Sequence, residues 1–223
     1  MRLIGISDTH SYHRSVKVPE GDVLIHAGDI TWRGELEIIK DFADWLKELP
    51  HRHKLVIHGN HEIGHQYGPK REPGLAMLRD AGATYLQDSG VEIDGLSFWG
   101  SPFQPFFHNW EYNLFRGKPL ADKWALIPEQ TNVLTTHGGP HQILDEVERA
   151  SYSFAGAIDV QNVGCEDLAQ RIKHLPNLKA HFFGHLHFNG GKTKIIDGVV
   201  YANCAICEEH SYKPTNPPII VDL

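Results

Sequence analysis

Cysteine is scarce in this chain. Three residues of 223, Cys165, Cys204 and Cys207, carry a thiol. So few, and an odd number, argue against a disulfide framework and for a reducing compartment, expected to be the cytoplasm. Cys204 and Cys207 stand at C-x-x-C spacing, but one such pair without a second favours ordinary buried thiols over zinc or redox chemistry. Long hydrophobic runs are missing too. No apolar stretch approaches the ~18 residues of a membrane span. The opening run Leu3-Ile4-Gly5-Ile6 reaches polar residues too early for a signal peptide. Positive charge is in deficit, at 21 Lys and Arg against 28 Asp and Glu. The resulting −7 disfavours stable binding to nucleic acid through its phosphates. A small phosphate-bearing substrate is still compatible, because bound metal ions reverse the local field. No repeat, linker or low-complexity segment divides the chain, so residues 1–223 read as a single domain.

What the chain has in excess is histidine, 16 in all. Where they fall depends on a regular pattern of short apolar runs. Leu3–Ile6, Val23–Ala27, Leu55–Ile57, Val133–Thr136 and His181–Phe183 each read as a buried strand with few charges, as strands covered on both faces do. Between the second and third, Leu36, Ile39, Phe42, Ala43, Leu46 and Leu49 repeat at helical spacing, and Pro50 ends the helix. Pro73 to Ala81 and Glu166 to His174 are further helix candidates. Asp94-Gly95 and Asp197-Gly198 each sit between two apolar runs and predict hairpins. Ile219-Ile220-Val221, after a Pro-rich stretch, predicts a final edge strand. Alternating strands and helices, with late hairpins, imply α/β layers over mixed sheets.

Each buried run ends in residues that bind metals. Asp8 and His10 follow the first, at the i, i+2 spacing that turns both to one side of an extended segment. Gly28-Asp29 follows the second. Gly59-Asn60-His61-Glu62 follows the third. His137-Gly138-Gly139 follows the fourth, and Gly184-His185-Leu186-His187 the fifth. Alone, each is an ordinary turn, cap or core histidine. Together they place carboxylates, an amide and imidazoles at the carboxyl ends of strands, where open α/β sheets collect their ligands.

These motifs, in this order from Leu3 to His187, resemble the calcineurin-like metallophosphoesterase superfamily. Three further stretches resemble its metallophosphoesterase-domain-containing group, known as metal-dependent phosphodiesterases acting on cyclic nucleotides and model diesters. They are Gly100–Pro105, Trp110–Gly117 and Tyr212–Ile220. The resemblance implies a four-layer sandwich of two mixed β-sheets flanked by helices. Two divalent metal ions are implied as cofactors. Asp8, His10, Asp29 and His187 would hold the first; Asn60, His137, His185 and the shared Asp29 would hold the second. Mixed nitrogen and oxygen ligation suits Mn²⁺ foremost, with Fe or Zn²⁺ as alternatives. A metal-bridging hydroxide would attack phosphorus. His61 would be the catalytic partner, protonating the leaving alkoxide or stabilising the transition state. Glu62 would be a supporting residue, orienting a neighbour or packing its carboxylate against loop amides.

The segment Gly28–Gly34 also resembles the Ser/Thr phosphoprotein phosphatases, with two departures. Those enzymes carry an aspartate where this chain has Trp32, and an arginine, a bidentate clamp for a phosphate dianion, where it has His58. The departures favour small phosphodiesters such as cyclic nucleotides over a phosphomonoesterase or protein-phosphatase role. A scaffold with a degraded metal site is disfavoured because every ligand position is filled. Arg33, Trp110 and His108 are candidate substrate contacts. Arg33 has the alternative of a solvated helix-start residue, and Trp110 belongs to an aromatic run, Phe106 to Arg116, that reads either as packing or as a wall for a nucleobase. His13 and His65 are expected in loops near the pocket, His51 and His53 in a polar turn, and His174 in the last turn of a helix.

Overall fold

Strand β1 (Arg2–Ile6) has two buried faces, and they belong to different cores. Leu3 packs with Val23, Leu55, Phe98, Val133 and Phe182, whereas Ile4 and Ile6 pack with Ile39, Phe42, Leu46 and Leu78. That division generates the architecture. The computed structural model describes residues 1–148 and 160–223. After β1 come β2 (Val23–Ala27), α1 (Leu36–Glu48), β3 (His53–Ile57), α2 (Arg71–Asp80), β4 (Thr84–Tyr85), β5 (Ser89–Ile93) and β6 (Leu96–Ser101). Then follow β7 (Gln104–Pro105), β8 (Asn113–Leu114), α3 (Lys118–Trp124), β9 (Val133–Thr136), β10 (Glu146–Glu148) and β11 (Val160–Asn162). The chain ends with α4 (Glu166–Ile172), β12 (Ala180–Phe183), β13 (Lys192–Ile196), β14 (Val199–Asn203) and β15 (Ile219–Asp222).

The first sheet has the order β15-β1-β2-β3-β4, parallel except for the antiparallel edge strand β15. The second has the order β13-β14-β12-β9-β6-β5, with a parallel centre and an antiparallel strand at each edge. Their facing surfaces form the central core. Helices α1 and α2 cover the outer face of the first sheet. On the second, Leu134, Phe183 and Tyr201 pack with Leu120 and Trp124 of α3 and Leu168 and Ile172 of α4. The result is the expected four-layer sandwich. Gly5 allows the sheets to close: a Cβ there would lie 2.5 Å from the Phe182 ring of the opposite sheet. At the carboxyl ends, an isolated bridge between Ser7 and Ala205 joins the two sheets. The ends of β1, β2, β3, β9 and β12 therefore open onto one rim.

Several local expectations change. Helix α3 leaves no periodic signal in the sequence, because it buries only Leu120 and Trp124, too few positions to show a period. The ribbons β7–β8 and β10–β11 are two or three residues long and equally silent. His51 is buried, its ring bonded to the Pro19 carbonyl at 2.9 Å, rather than lying in a polar turn, and His53 opens β3. His174 lies two residues beyond α4. No described helix is long and apolar enough to cross a membrane.

The inter-sheet core predicts its own energetics. Truncating the fully buried ring of Phe182 to Ala should cost about 3–5 kcal/mol in urea unfolding. Ile195→Ala, on a residue 71% exposed in β13, should cost less than about 1 kcal/mol. Equal costs would contradict a core closed between the two sheets.

Candidate metal centre

The loop after β1 lies along the loop after β2. Asp8 N–H donates to the Gly28 carbonyl, His10 N–H to that of Asp29, and Ser11 N–H to that of Ile30. These bonds hold Asp8 (φ 52°), His10 (φ 41°) and Asp29 (φ 55°) in the left-handed region. That region costs a non-glycine residue ~1–2 kcal/mol. His185 (φ 68°) shares it, and its N–H donates to both oxygens of Asp8, at 3.0 and 2.9 Å. The loops must come this close: a Cβ on Gly184 would collide with the Asp8 carboxylate, and one on Gly59 with that of Asp29.

Asp29 is the hub. Its Oδ2 lies 3.3 Å from His137 Nε2, 3.9 Å from His61 Nε2 and 4.0 Å from His10 Nε2. Asp8 Oδ1 and His187 Nε2 are 3.3 Å apart, and His187 Nε2 is 3.4 Å from His10 Nε2. Asn60 Oδ1 lies 2.9 Å from His137 Nε2. Ligand atoms gather in three sets, each within 4.8 Å: Asp8, His10 and His187; His10, Asp29 and His61; Asp29, His137 and His185. Strong hydrogen bonds cluster near ~2.9 Å. Two atoms sharing an ion at ~2.0–2.2 Å stand ~3–3.5 Å apart. Most of these separations fit the second geometry better.

Three rings are also turned the right way. His10, His61 and His137 each set Nδ1 against a backbone carbonyl: Thr31 at 3.2 Å, Trp32 at 2.8 Å and Ala27 at 2.9 Å. A carbonyl only accepts, so Nδ1 carries the proton and, in the neutral ring, Nε2 presents its lone pair to the centre. Burial pushes His10 down to about 4 and His185 down to about 3, keeping both neutral. His137 moves the other way, up to about 9, because the Asp29 carboxylate outweighs the burial that opposes its charge. Burial also opposes ionisation of the two aspartates. The rings of His187 and His137 beside Asp8, and of His137 and His61 beside Asp29, nevertheless hold both carboxyls well below the usual range. Ionised carboxylates, with His10 and His185 held neutral and His137 holding a proton that an ion would displace, form a donor set that fits divalent cations.

Glu62 does not face the centre. Its Oε2 accepts from Gly59 N–H at 2.6 Å and Asp29 N–H at 3.1 Å, and its Oε1 from Thr31 N–H at 3.0 Å. It thereby ties the loop after β3 to the loop after β2. Burial and the charge of Asp29 push its carboxyl up to about 8.

A cavity of about 400 Å³ opens over these groups. His10, Asp29, Asn60, His61, His185 and His187 line it, while Asp8 and His137 are buried behind. Its other walls include Phe106, Phe107, Arg116, Gln161, Val163 and Tyr212. The lining does not include Arg33, Trp110 or His108. Arg33 is exposed at the start of α1, its N–H on the Glu35 carboxylate. His108 points to solvent with Phe107 at its edge. Trp110 packs on the His61 ring, centroids 4.0 Å apart. His13, bonded to Asp41, and His65, bonded to the Gly34 carbonyl, are both buried away from the lining. His58 is turned from the site too: its Nδ1 meets the hydroxyls of Tyr112 at 3.0 Å and Tyr85 at 3.1 Å. Arg116 and Tyr212 carried no metal-type signal. Both sit in aromatic or Pro-rich stretches whose loop geometry no periodicity reveals.

Comparison with known proteins gives a family match and a likeness of fold. Residues 1–189 match the family described as calcineurin-like phosphoesterase. Metallophosphoesterase domain-containing protein 1 of Homo sapiens is 37% identical over 242 residues, covering 100% of this chain and 71% of that protein. The Mus musculus protein of the same name matches with the same figures. A crystal structure from Thermus thermophilus, TT1561, superposes with a TM-score of 0.57 at 11% identity, over 92% of this chain and 91% of that one, a likeness of fold.

Because Glu62 takes three loop amides, Glu62→Ala would leave them without an acceptor, at ~1–3 kcal/mol for a buried unsatisfied group. The expected outcome is a loss of stability of about 3 kcal/mol or more in urea, with weaker Mn²⁺ binding by calorimetry. Unchanged stability and affinity would show that the carboxylate does not tie the loops.

Proposed function

Since the chain belongs to the calcineurin-like phosphoesterase family, whose members are metal-dependent phosphoesterases, we propose that it is a dinuclear phosphodiesterase. In this reading it hydrolyses small phosphodiesters such as cyclic nucleotides, with residues 1–223 working as one domain. The observation that carries the reading is the orientation of His58. The position where the phosphatases place a dianion-clamping arginine is here a buried, neutral imidazole bonded to two tyrosines. A diester, with a single negative charge, does not need that clamp. Phe106, Phe107 and Tyr212 supply an apolar, aromatic wall of the kind on which a base stacks.

Asp8, His10, Asp29 and His187 would hold one ion, and Asn60, His137, His185 and Asp29 the other. Asp29 can serve both because its carboxylate has two oxygens. Mn²⁺ is the first candidate, with Fe or Zn²⁺ next, since no thiolate faces the centre among the described residues. Two such ions, when bound, supply positive charge for the phosphoryl oxygens and a water acidic enough to attack at neutral pH. The chain itself orients and protonates. His61 keeps its Nδ1 proton on the Trp32 carbonyl and turns Nε2 to the centre. From there a protonated Nε2 delivers its proton to the leaving alkoxide. The aromatic wall holds the rest of the substrate. A second reading has its own observation: His61 Nε2 also groups with His10 and Asp29 as a possible ligand.

The purified protein should contain close to two ions per chain by elemental analysis and lose activity to chelator. It should hydrolyse bis-nitrophenyl phosphate or cyclic nucleotides with higher kcat/KM than phosphoserine peptides. Absence of metal, with no gain on adding Mn²⁺, would sink the metal reading. Efficient peptide dephosphorylation would sink the diester reading.

His61→Ala should keep both ions while kcat falls ~10²–10⁴-fold, the usual worth of a general acid. The fall should be larger for a ribose-hydroxyl leaving group than for nitrophenolate, which hardly needs a proton. Loss of an ion would instead make His61 a ligand.

A further inference from the structure

The segment before α3 is bound to the His61 loop by reciprocal hydrogen bonds. Glu111 N–H donates to the Asn60 carbonyl at 3.3 Å. In return, the Glu111 carboxylate accepts from Gly64 N–H at 3.0 Å and Gln66 N–H at 3.2 Å. Tyr112 N–H donates to Gln66 Oε1 at 2.7 Å. The segment is also fixed internally, because the Asn113 amide donates to the carbonyls of Phe107, His108 and Trp110, each at 3.1 Å. A loop with this many bonds is a rigid mount. What it presents to the site is Trp110, whose ring packs on His61 at 4.0 Å and 51°.

His61 needs such a mount. Its side chain is 17% exposed, unlike the buried imidazoles around it. The Trp32 carbonyl fixes Nδ1 but leaves the ring free to swing about that bond. The His10 ring meets it edge-on at 4.7 Å and limits one direction. Trp110 limits the other. The indole packs on His61 and is not part of the cavity lining.

We infer that Trp110 is a positioning residue for His61 and that the Glu111–Gln66 clasp sets its place. The inference rests on the catalytic reading of His61, and it assigns Trp110 no contact with substrate. It also makes the aromatic wall and the proton donor one unit. Phe107 belongs to the same Asn113-stapled loop, so movement of that loop would shift both.

A double-mutant cycle tests this with cyclic nucleotide and with a nitrophenyl diester, metal content being measured for every variant. Trp110→Ala should lower kcat by about 10-fold, since small misplacements of catalytic groups cost one to two decades, with KM nearly unchanged. The loss should be larger for the cyclic nucleotide. Trp110→Phe should restore most of it. In the His61→Ala background, Trp110→Ala should add nothing. Glu111→Gln, a milder change, should reproduce the pattern at smaller size and serves if Trp110→Ala fails to fold. A Trp110 effect that persists without His61, or that falls on KM, would mean direct substrate contact and overturn the inference. Loss of metal on Trp110→Ala would overturn it as well. Full activity of His61→Ala alone would remove the underlying reading, a result distinct from the other two.

Discussion

Burial of the Asp29 carboxylate is the constraint on which the rest depends. An ion taken out of water costs several kcal/mol even after relaxation, and only close compensating charge and hydrogen bonds offset it. Around Asp29 the compensation comes from elements far apart in sequence: His10 after β1, His61 after β3 and His137 after β9. Its remaining oxygen, Oδ1, accepts from His61 N–H at 2.8 Å. Neither sheet alone can supply this shell. Both must present their carboxyl ends to one rim, and Asp8, bonded to His185 N–H across the rim, repeats the arrangement. The same demand accounts for the left-handed backbone at Asp8, His10, Asp29 and His185. Strain of ~1–2 kcal/mol at a residue is small beside an uncompensated buried charge.

Trp32 shows how the site manages without one acid. The protein-phosphatase pattern orients its catalytic histidine with an aspartate at this position. Here the Trp32 backbone carbonyl takes the His61 Nδ1 proton, while the indole stacks on His10 at 4.2 Å and 18°. A carbonyl fixes the tautomer as well as a carboxylate does, but brings no negative charge. The ring therefore gains orientation without the full electrostatic pull of a second acid. One residue thus orients two imidazoles, one through its backbone and one through its face.

Much of this was legible in the sequence, for identifiable reasons. The five strands that carry the site are short and mostly apolar, with charge confined to Arg2 of β1 and Lys54 of β3, and each is followed at once by its polar group. Strand position and chemistry could thus be read together, as with Asp8 and His10 after β1 or His185 and His187 after β12. Helix α1 was legible because Ile39, Phe42 and Leu46 repeat at helical spacing. Even Glu62, expected to pack against loop amides, bonds to those of Gly59, Asp29 and Thr31. Illegible were the parts whose meaning depends on which loops meet. His51, His13 and His65 read as surface or pocket residues by their polar neighbours, yet each is buried against a partner distant in sequence. Arg116 had no readable role either, because its partners, Glu166 and the carbonyls of Val163 and Gly164, lie about 50 residues on.

The aromatic run from Phe106 to Phe115 makes the same point about function. As a string it permits two uses, packing or substrate wall, and composition cannot choose between them. The fold turns some of these rings to the cavity and packs the others. Phe106 and Phe107 face the cavity, Tyr112 is fully buried against His58 and Phe103, and Trp110 faces His61. The division follows from Asn113, Glu111 and Gln66, polar residues that bond to backbone and decide which ring turns which way. Aromatic area supplies the driving force for burial, but it is non-directional. The hydrogen bonds of a few amides and one carboxylate give it direction. In this protein, which rings line the cavity and which ring packs on His61 is therefore set by polar residues that are not themselves in the cavity lining.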